Sequence, residues 1–124
     1  MILQPTCPFR KIENFVQAFK IINKKNFDSV ITISKTRDHP DRLKVFRKNR
    51  LVNYNRKLSS ESLKPRQSLN SIFTRSGSMY LFDSKLLNKN AIVGKKVFGI
   101  LVKGKYSINI DNEEDLILAR HYSM

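Results

Sequence analysis

Cysteine is almost absent from this chain, and histidine and long apolar runs are also rare, which excludes several classes of protein. Its single cysteine, Cys7, excludes an intramolecular disulfide, and neither His39 nor His121 lies at zinc-ligand spacing from it. No apolar run approaches the roughly 20 residues that cross a bilayer. The N-terminus has no basic-then-apolar signal pattern. We therefore expect no structural zinc, no membrane partner and a reducing, cytoplasmic location.

Acidic residues are also scarce: 10 Asp and Glu stand against 24 Lys and Arg, for a net charge of +14. Such a balance suggests an anionic partner. One stretch is basic throughout and contains Arg42, Lys44, Arg47, Lys48, Arg50, Arg56 and Lys57. A small nucleic-acid-binding protein is therefore one hypothesis, but no aromatic platform or known module accompanies the charge. The sequence favours the alternative, a solvated lysine-rich surface, over nucleic acid as a partner.

The hydrophobic pattern predicts an α/β protein of one domain over residues 1–124. Between Lys11 and Lys24, apolar residues recur every three to four positions, which predicts an amphipathic helix. The β-branched run 28–34 predicts a strand, and the residues before Gln4 resemble the end of a buried strand. A strand, a helix and a second strand in this order predict a right-handed βαβ unit with parallel strands.

The rest of the chain alternates short apolar runs with polar segments. We expect strands at 43–46, 51–54, 78–82, 96–102 and 106–110, a helical turn at 84–88 and a loop at 59–69. A last helix should begin after Asn112 as N-cap, with Asp115 completing a variant of the capping box.

The loop from Gln4 to Arg10 is the first candidate site. A loop between the carboxyl end of a strand and a helix is where α/β sheets bind ligands. Gln4 offers an amide, Thr6 a hydroxyl and Arg10 a cation for a carboxylate or phosphate, and two prolines keep the loop rigid. An ordinary proline-rich strand exit would account for the same residues.

Two further segments carry polar groups near predicted strands. Arg66 and Gln67 precede Gly77, which supplies a backbone that a ligand can approach closely. Asn109 and Asp111 should lie on one face of the predicted strand 106–110, where their oxygens suit Mg²⁺. A basic loop with a turn glycine, and a strand followed by an N-capped helix, are the alternatives.

These three segments resemble, in order and spacing, motifs of the acylneuraminate cytidylyltransferases, which activate sialic and related acids. Residues 3–10 are similar to "LQPTSPLR", residues 66–80 to "RQDLPxxYxxNGxIY", and residues 109–115 to "DIDTEED". The resemblance implies that Gln4, Arg10, Arg66, Gln67 and Gly77 bind substrate and that Asp111, with Asn109, binds Mg²⁺. The chain departs from the family at Cys7, Ser68, Asn70, Ser76 and Asn109, and the last change removes one metal-binding carboxylate.

Family members transfer CMP from CTP to a 2-keto-3-deoxy nonulosonic acid, and are dimers. The resemblance implies a partial Rossmann-like nucleotidyltransferase sheet in a three-layer α/β/α arrangement that lacks its N-terminal strands. The family's "ARGGSK" loop, which holds the CTP phosphates, has no counterpart in this sequence. We therefore expect a truncated domain that is inactive alone; a non-catalytic dimerisation partner is a further alternative.

Overall fold

The structure, a computed structural model, describes residues 1–55, 57 and 65–124. It forms two compact units: residues Met1–Ser34 with Thr74–Met124, and residues Lys35–Phe73. The expected single domain over 1–124 stays a prediction. In chain order, the elements are α1 (Ile12–Asn23), β1 (Ser29–Lys35), β2 (Lys44–Arg47), β3 (Arg50–Asn53), β4 (Phe73–Phe82), β5 (Val97–Leu101) and α2 (Glu113–Ser123). Short 3₁₀ helices lie at Pro40–Arg42, Arg66–Ser68, Ser84–Lys89 and Gly104–Ser107.

The first unit is built on a mixed sheet with the strand order β4-β1-β5. β1 and β5 run parallel, with Ser29 beside Val97 and Ile33 beside Leu101. This confirms the α/β class and the strands predicted at 28–34 and 96–102. Val102 extends the ladder, because its N–H donates to the Ile33 carbonyl at 2.8 Å.

The N-terminal segment does not form the expected buried strand. Ile2 makes one antiparallel bridge to Tyr80, with N–H···O distances of 2.8 and 2.9 Å in the two directions. Ile2 and Leu3 are both about two-fifths exposed. The segment also lies on β4, which pairs with β1, so it is not the direct neighbour of β1 that the βαβ prediction assumed. Apolar character alone does not distinguish a core strand from an edge bridge.

The core lies between α1 and the sheet. Ala18 of the helix is fully buried and packs with residues of all three strands: Val30, Met79, Leu81 and Ile100. Phe15, Ile21 and Ile22 close its margin. Each large side chain buried here contributes about 1.5–3 kcal/mol relative to exposure. The helix predicted from Lys11 to Lys24 is confirmed, but Ile12, Val16 and Phe19 of its apolar stripe remain 46–75 % exposed.

Polar side chains also join the strands of this unit. Thr32 Oγ1 accepts the Met79 N–H at 3.0 Å, which links β1 to β4. Asp28, just before β1, accepts the N–H groups of Lys95 and Lys96 at 3.0 and 3.1 Å. The Ser29 hydroxyl donates to the same carboxylate at 3.1 Å. These hydrogen bonds, that from Lys96 first, lower the pKa of Asp28 below its ordinary value.

Two strand predictions need correction. Residues 106–110 are not a strand: the 3₁₀ helix Gly104–Ser107 occupies this place, and Ile108 follows it in extended conformation. Gly104 adopts φ +57°, a left-handed turn that directs the chain out of the sheet after β5. β4 begins at Phe73, five residues before the predicted start at 78, because its polar residues Ser76 and Ser78 are buried within the strand.

The second unit contains the predicted hairpin. β2 and β3 pair antiparallel, with Lys44 opposite Asn53 and Arg47 opposite Arg50. The turn residues Lys48 and Asn49 both have positive φ, 44° and 60°, as tight two-residue hairpins require. The helical turn predicted at 84–88 is confirmed in the first unit. Of the loop predicted at 59–69, residues 59–64 lie outside the described part, and Arg66–Ser68 form a 3₁₀ helix.

α2 begins as predicted, with the Asn112 side chain accepting the Asp115 N–H at 2.9 Å. Within the described ranges, no helix is long and apolar enough to span a bilayer.

Candidate functional site

The loop that follows Ile2 is fastened to the outer edge of β4 by side chains. Arg10 Nε donates to the Ser78 carbonyl at 3.2 Å, and Cys7 Sγ donates to the Ser76 carbonyl at 3.2 Å. Together with the Tyr80 bridge, these contacts occupy the carbonyls of alternate β4 residues, which point to the same edge. The loop therefore takes the place of a further strand along this edge.

The same loop is closed on itself around the Gln4 carbonyl. This oxygen accepts the Cys7 N–H at 3.1 Å and a second hydrogen bond from Arg10 Nη2. The sequence predicted that Arg10 would bind a substrate anion. The structure gives two of its nitrogens to backbone carbonyls, so this guanidinium holds the loop in shape.

Gln4 and Gly77, two of the predicted substrate-binding residues, lie in direct contact. Gly77 has φ +78°, and a Cβ at this position would stand 1.9 Å from Gln4 Oε1 and 3.1 Å from Cys7 Sγ. No other residue type combines this backbone conformation with room for the glutamine amide. The missing side chain of Gly77 leaves the space that the Gln4 amide occupies.

Thr6 connects the loop to the predicted metal-binding pair. Its hydroxyl donates to Asn109 Oδ1 at 2.6 Å, and its carbonyl accepts the Ile110 N–H at 2.9 Å. Asn109 Nδ2 in turn donates to Asp111 Oδ2 at 2.7 Å. The two segments are about a hundred positions apart in sequence, and the fold places their polar side chains in one continuous hydrogen-bonded chain.

The first turn of α2 fixes the backbone of Asp111. Asp115 Oδ2 accepts the Asp111 N–H at 3.1 Å, while the Asp115 N–H bonds to Asn112. Asp115 thus accepts the N–H of the residue before the N-cap rather than that of Asn112 itself, and Asp111 lies next to the helix N-terminus, where the dipole favours negative charge.

Two small polar groups are buried beside the loop. Cys7 is 1 % exposed, and burial raises the pKa of its thiol, against the opposing charge of Arg10. A buried, protonated thiol is a packing group rather than a nucleophile. Ser76, 5 % exposed, has a hydroxyl with no hydrogen-bond partner among the described residues. The sequence did not indicate the role of Cys7 as a link, because its partners lie 69 and 102 residues away.

Arg66 and Gln67 belong to the other compact unit. Both stand in the 3₁₀ helix Arg66–Ser68, and the Gln67 side chain is exposed. The side chain of Arg66 lies outside the described part of the structure. Five predicted residues therefore share the first unit: Gln4, Arg10, Gly77, Asn109 and Asp111.

The oxygen atoms near Asp111 allow a test of the expected magnesium ion. Thr6, Asn109 and Asp111 supply hard oxygen donors with a single formal negative charge. Over the residues that the structure describes, no group of three His, Cys, Asp or Glu side chains gathers as a metal cage. Mg²⁺ commonly uses one or two carboxylates and completes its octahedron with water and substrate phosphates. The oxygens of Thr6, Asn109 and Asp111 are of the type that such an ion accepts, with one carboxylate among them.

Comparison with the models of known protein families finds no match for this chain, and comparison with curated proteins finds none either. Function is therefore inferred from the sequence motifs and from the contacts between them.

Proposed function

We propose that this chain forms the sugar-acid and metal side of a cytidylyltransferase site of the acylneuraminate type, on a partial Rossmann-like sheet of the three-layer α/β/α kind. The observation that carries the proposal is the 2.6 Å hydrogen bond between Thr6 and Asn109. It joins the segment similar to "LQPTSPLR" to the segment similar to "DIDTEED", as a shared ligand site requires. The contact between Gln4 and Gly77 adds the third segment.

The residues have distinct roles in this proposal. Gln4, held against Gly77, presents its amide to the hydroxyls or carboxylate of a nonulosonic acid. Arg10 keeps the loop in place. The assignment of Arg66 and Gln67 to the sugar acid rests on the family resemblance alone. Mg²⁺, when bound by Asp111 and Asn109, would neutralise charge on the phosphates of CTP.

The proposal is restricted to binding, without turnover of CTP by this chain alone. Phosphate loops use clustered glycines so that several backbone N–H groups can approach the oxygens. The glycines of this sequence are Gly77, Gly94, Gly99 and Gly104, each isolated. A phosphate loop of this type is therefore not contained in the sequence of 124 residues. The absence of a disulfide pair agrees with the cytoplasm as the proposed compartment.

Calorimetric titration with N-acetylneuraminate, with and without Mg²⁺ and CMP, tests the proposal. We expect measurable binding that Gln4→Ala weakens at least tenfold, since an amide that hydrogen-bonds a ligand is worth about 1.5 kcal/mol. Gln17→Ala is the matched control, because Gln17 is exposed on α1, away from the loop. Equal affinities of Gln4→Ala and Gln17→Ala for N-acetylneuraminate, or no binding by the wild type, would refute the proposal.

The metal part of the proposal has its own pair of variants. Asp111→Asn should abolish any increase in affinity that Mg²⁺ causes, whereas Asp38→Asn, an exposed change of the same charge, should leave it intact. Pyrophosphate release from CTP by the purified chain would contradict the restriction to binding. Loss of the Mg²⁺ effect in both variants would show a general charge effect instead.

One observation favours nucleic acid as a second candidate function. The β2–β3 hairpin exposes Phe46 by 71 %, and it places Arg47 directly opposite Arg50. Like charges that face each other destabilise a hairpin unless an anion neutralises them. Titration of the chain into single-stranded RNA at increasing salt distinguishes this function. Binding that falls steeply with salt and is lost in Arg47→Gln/Arg50→Gln supports it.

Self-association is the remaining expectation from the family resemblance. Phe46 and its cross-strand neighbour Leu51 form an exposed apolar pair on one face of the hairpin. A homodimer through this pair would be disrupted by Phe46→Ser, and size-exclusion chromatography with light scattering would detect the change. A monomer in the wild type at all concentrations would exclude it.

A further inference from the structure

A lysine-lined pocket lies where β5 ends and α1 begins, and none of the residues of the Gln4–Arg10 loop lines it. It has a volume of about 180 Å³ and is lined by Lys11, Asn14, Leu101, Val102, Lys103 and Tyr106. All these residues belong to the first unit. Its floor is firm, because Val102 is buried and its N–H is bonded to Ile33 at 2.8 Å. Pockets at the carboxyl ends of strands are the usual ligand sites of α/β sheets.

The cations around this pocket are positioned by aromatic rings. Lys11 Nζ lies 4.6 Å from the centroid of the Tyr106 ring. Lys105 Nζ lies 5.8 Å from the same ring and 5.5 Å from that of Phe9. Such cation–π contacts stabilise an exposed ammonium group and limit its freedom. Of the two lysines that line the pocket, Lys11 is thereby held against the Tyr106 ring before any ligand arrives.

The residue at the start of α1, next to this pocket, is unfavourable for a helix N-terminus. Lys11 is the N-cap residue, and it makes no side-chain capping hydrogen bond. A cation next to a helix N-terminus is unfavourable, because the helix dipole has its positive end there. Among the described residues that line the pocket, none is a carboxylate. Glu13 in the first turn of α1 supplies one negative charge. An anion in the pocket would balance the remaining positive charge of Lys11, Lys103 and the helix dipole, and departures from local rules are expected at functional sites.

From these contacts we infer that the pocket binds the phosphate group of a small phosphorylated molecule. Lysine ammonium groups act as point charges and are common phosphate ligands, and two of them balance the charge of about −2 that a phosphate group carries at pH 7. The volume equals that of about six waters at ~30 Å³ each. This accommodates the five heavy atoms of one phosphate and the beginning of the group attached to it. The inference does not depend on the proposed cytidylyltransferase function, since Gln4, Asn109 and Asp111 take no part.

Calorimetric titration of the full chain with inorganic pyrophosphate, phosphate, ribose 5-phosphate and sulfate in 150 mM salt tests the inference. We expect Lys11→Gln/Lys103→Gln to weaken pyrophosphate binding at least tenfold. Lys85→Gln/Lys89→Gln is the control, because it removes the same charge from an exposed 3₁₀ helix elsewhere. It should change the affinity less than twofold. Circular dichroism of both variants establishes that they are folded.

The ligand series separates the possible sources of the phosphate. Tighter binding of ribose 5-phosphate than of free phosphate indicates a phosphate ester, and the reverse order indicates an inorganic anion; both support the site. Equal weakening in the two double variants would overturn the inference, as would equal affinity for sulfate and pyrophosphate or no binding by the wild type. Displacement of pyrophosphate by a short RNA, with RNA affinity lost in Lys11→Gln/Lys103→Gln alone, would assign the pocket to nucleic acid and also overturn it.

Discussion

Substitution of Gly77 by alanine examines the contact that joins two predicted site residues. The new Cβ would stand 1.9 Å from Gln4 Oε1, so the glutamine amide has to move. The backbone conformation at φ +78° adds strain of about 1–3 kcal/mol for a residue with a Cβ. Stiffening of the unfolded chain returns about 0.4–1 kcal/mol. The backbone term alone therefore costs about 0.5–2 kcal/mol.

The steric term comes on top of this strain. Overpacking costs about 1–3 kcal/mol, and the lower end applies because Gln4 Oε1 is the end of a flexible side chain. We expect Gly77→Ala to destabilise the protein by about 1.5–3 kcal/mol in all. Gly104→Ala is the matched control: it also has positive φ, +57°, but a Cβ there meets no atom within 4 Å. Gly104→Ala should lower the free energy of unfolding only by the backbone strain, about 0.5–2 kcal/mol.

Urea unfolding followed by far-ultraviolet circular dichroism measures both variants. The extra cost of about 1 kcal/mol at Gly77 shifts the midpoint by roughly 0.3–1 M at slopes of about 1–3 kcal/mol/M. In a Gln4→Ala background the extra cost should largely disappear, because the atom that clashes is gone. If Gly77→Ala costs no more than Gly104→Ala, or if Gln4→Ala gives no relief, the contact does not form as described.

Two further predictions concern ionisable groups in the first unit. The pKa of Asp28 is lowered from 3.8, so its charged form stabilises the fold above that pH, and this stabilisation is lost as the pH falls through the lower folded value. The urea midpoint should drop on acidification below pH 4, and less so in Asp28→Asn than in the Glu13→Gln control; equal drops would contradict the role of this carboxylate. Because Cys7 is buried and its pKa is raised from 9.0, a disulfide reagent at pH 8 should modify the thiol slowly in the native protein and rapidly in urea. Similar rates in both conditions would show that the thiol is accessible.

Much of the secondary structure could be predicted because its causes are local. The period of α1, the β-branched run of β1 and the capping residues Asn112 and Asp115 each act within a few positions, and all three predictions are confirmed. The prediction of a strand at 106–110 was wrong, because the 3₁₀ helix that starts at Gly104 includes Tyr106 and Ser107. The alternation of apolar residues in this segment does not distinguish a strand from such a turn. The early part of β4 was missed because buried serines look like loop residues in a sequence.

The candidate site divides in the same way. The residues available to the site can be read from the sequence: the Gln4–Arg10 loop, a glycine at 77, the pair Asn109 and Asp111, and the excess of lysine. The folded chain was needed to show that Thr6 reaches Asn109, that Arg10 and Cys7 bind the edge of β4, and that Lys11 and Tyr106 meet at one pocket. The physical reason is that these contacts join segments about 70–100 positions apart, and their geometry depends on chain packing, which no local pattern of residues records.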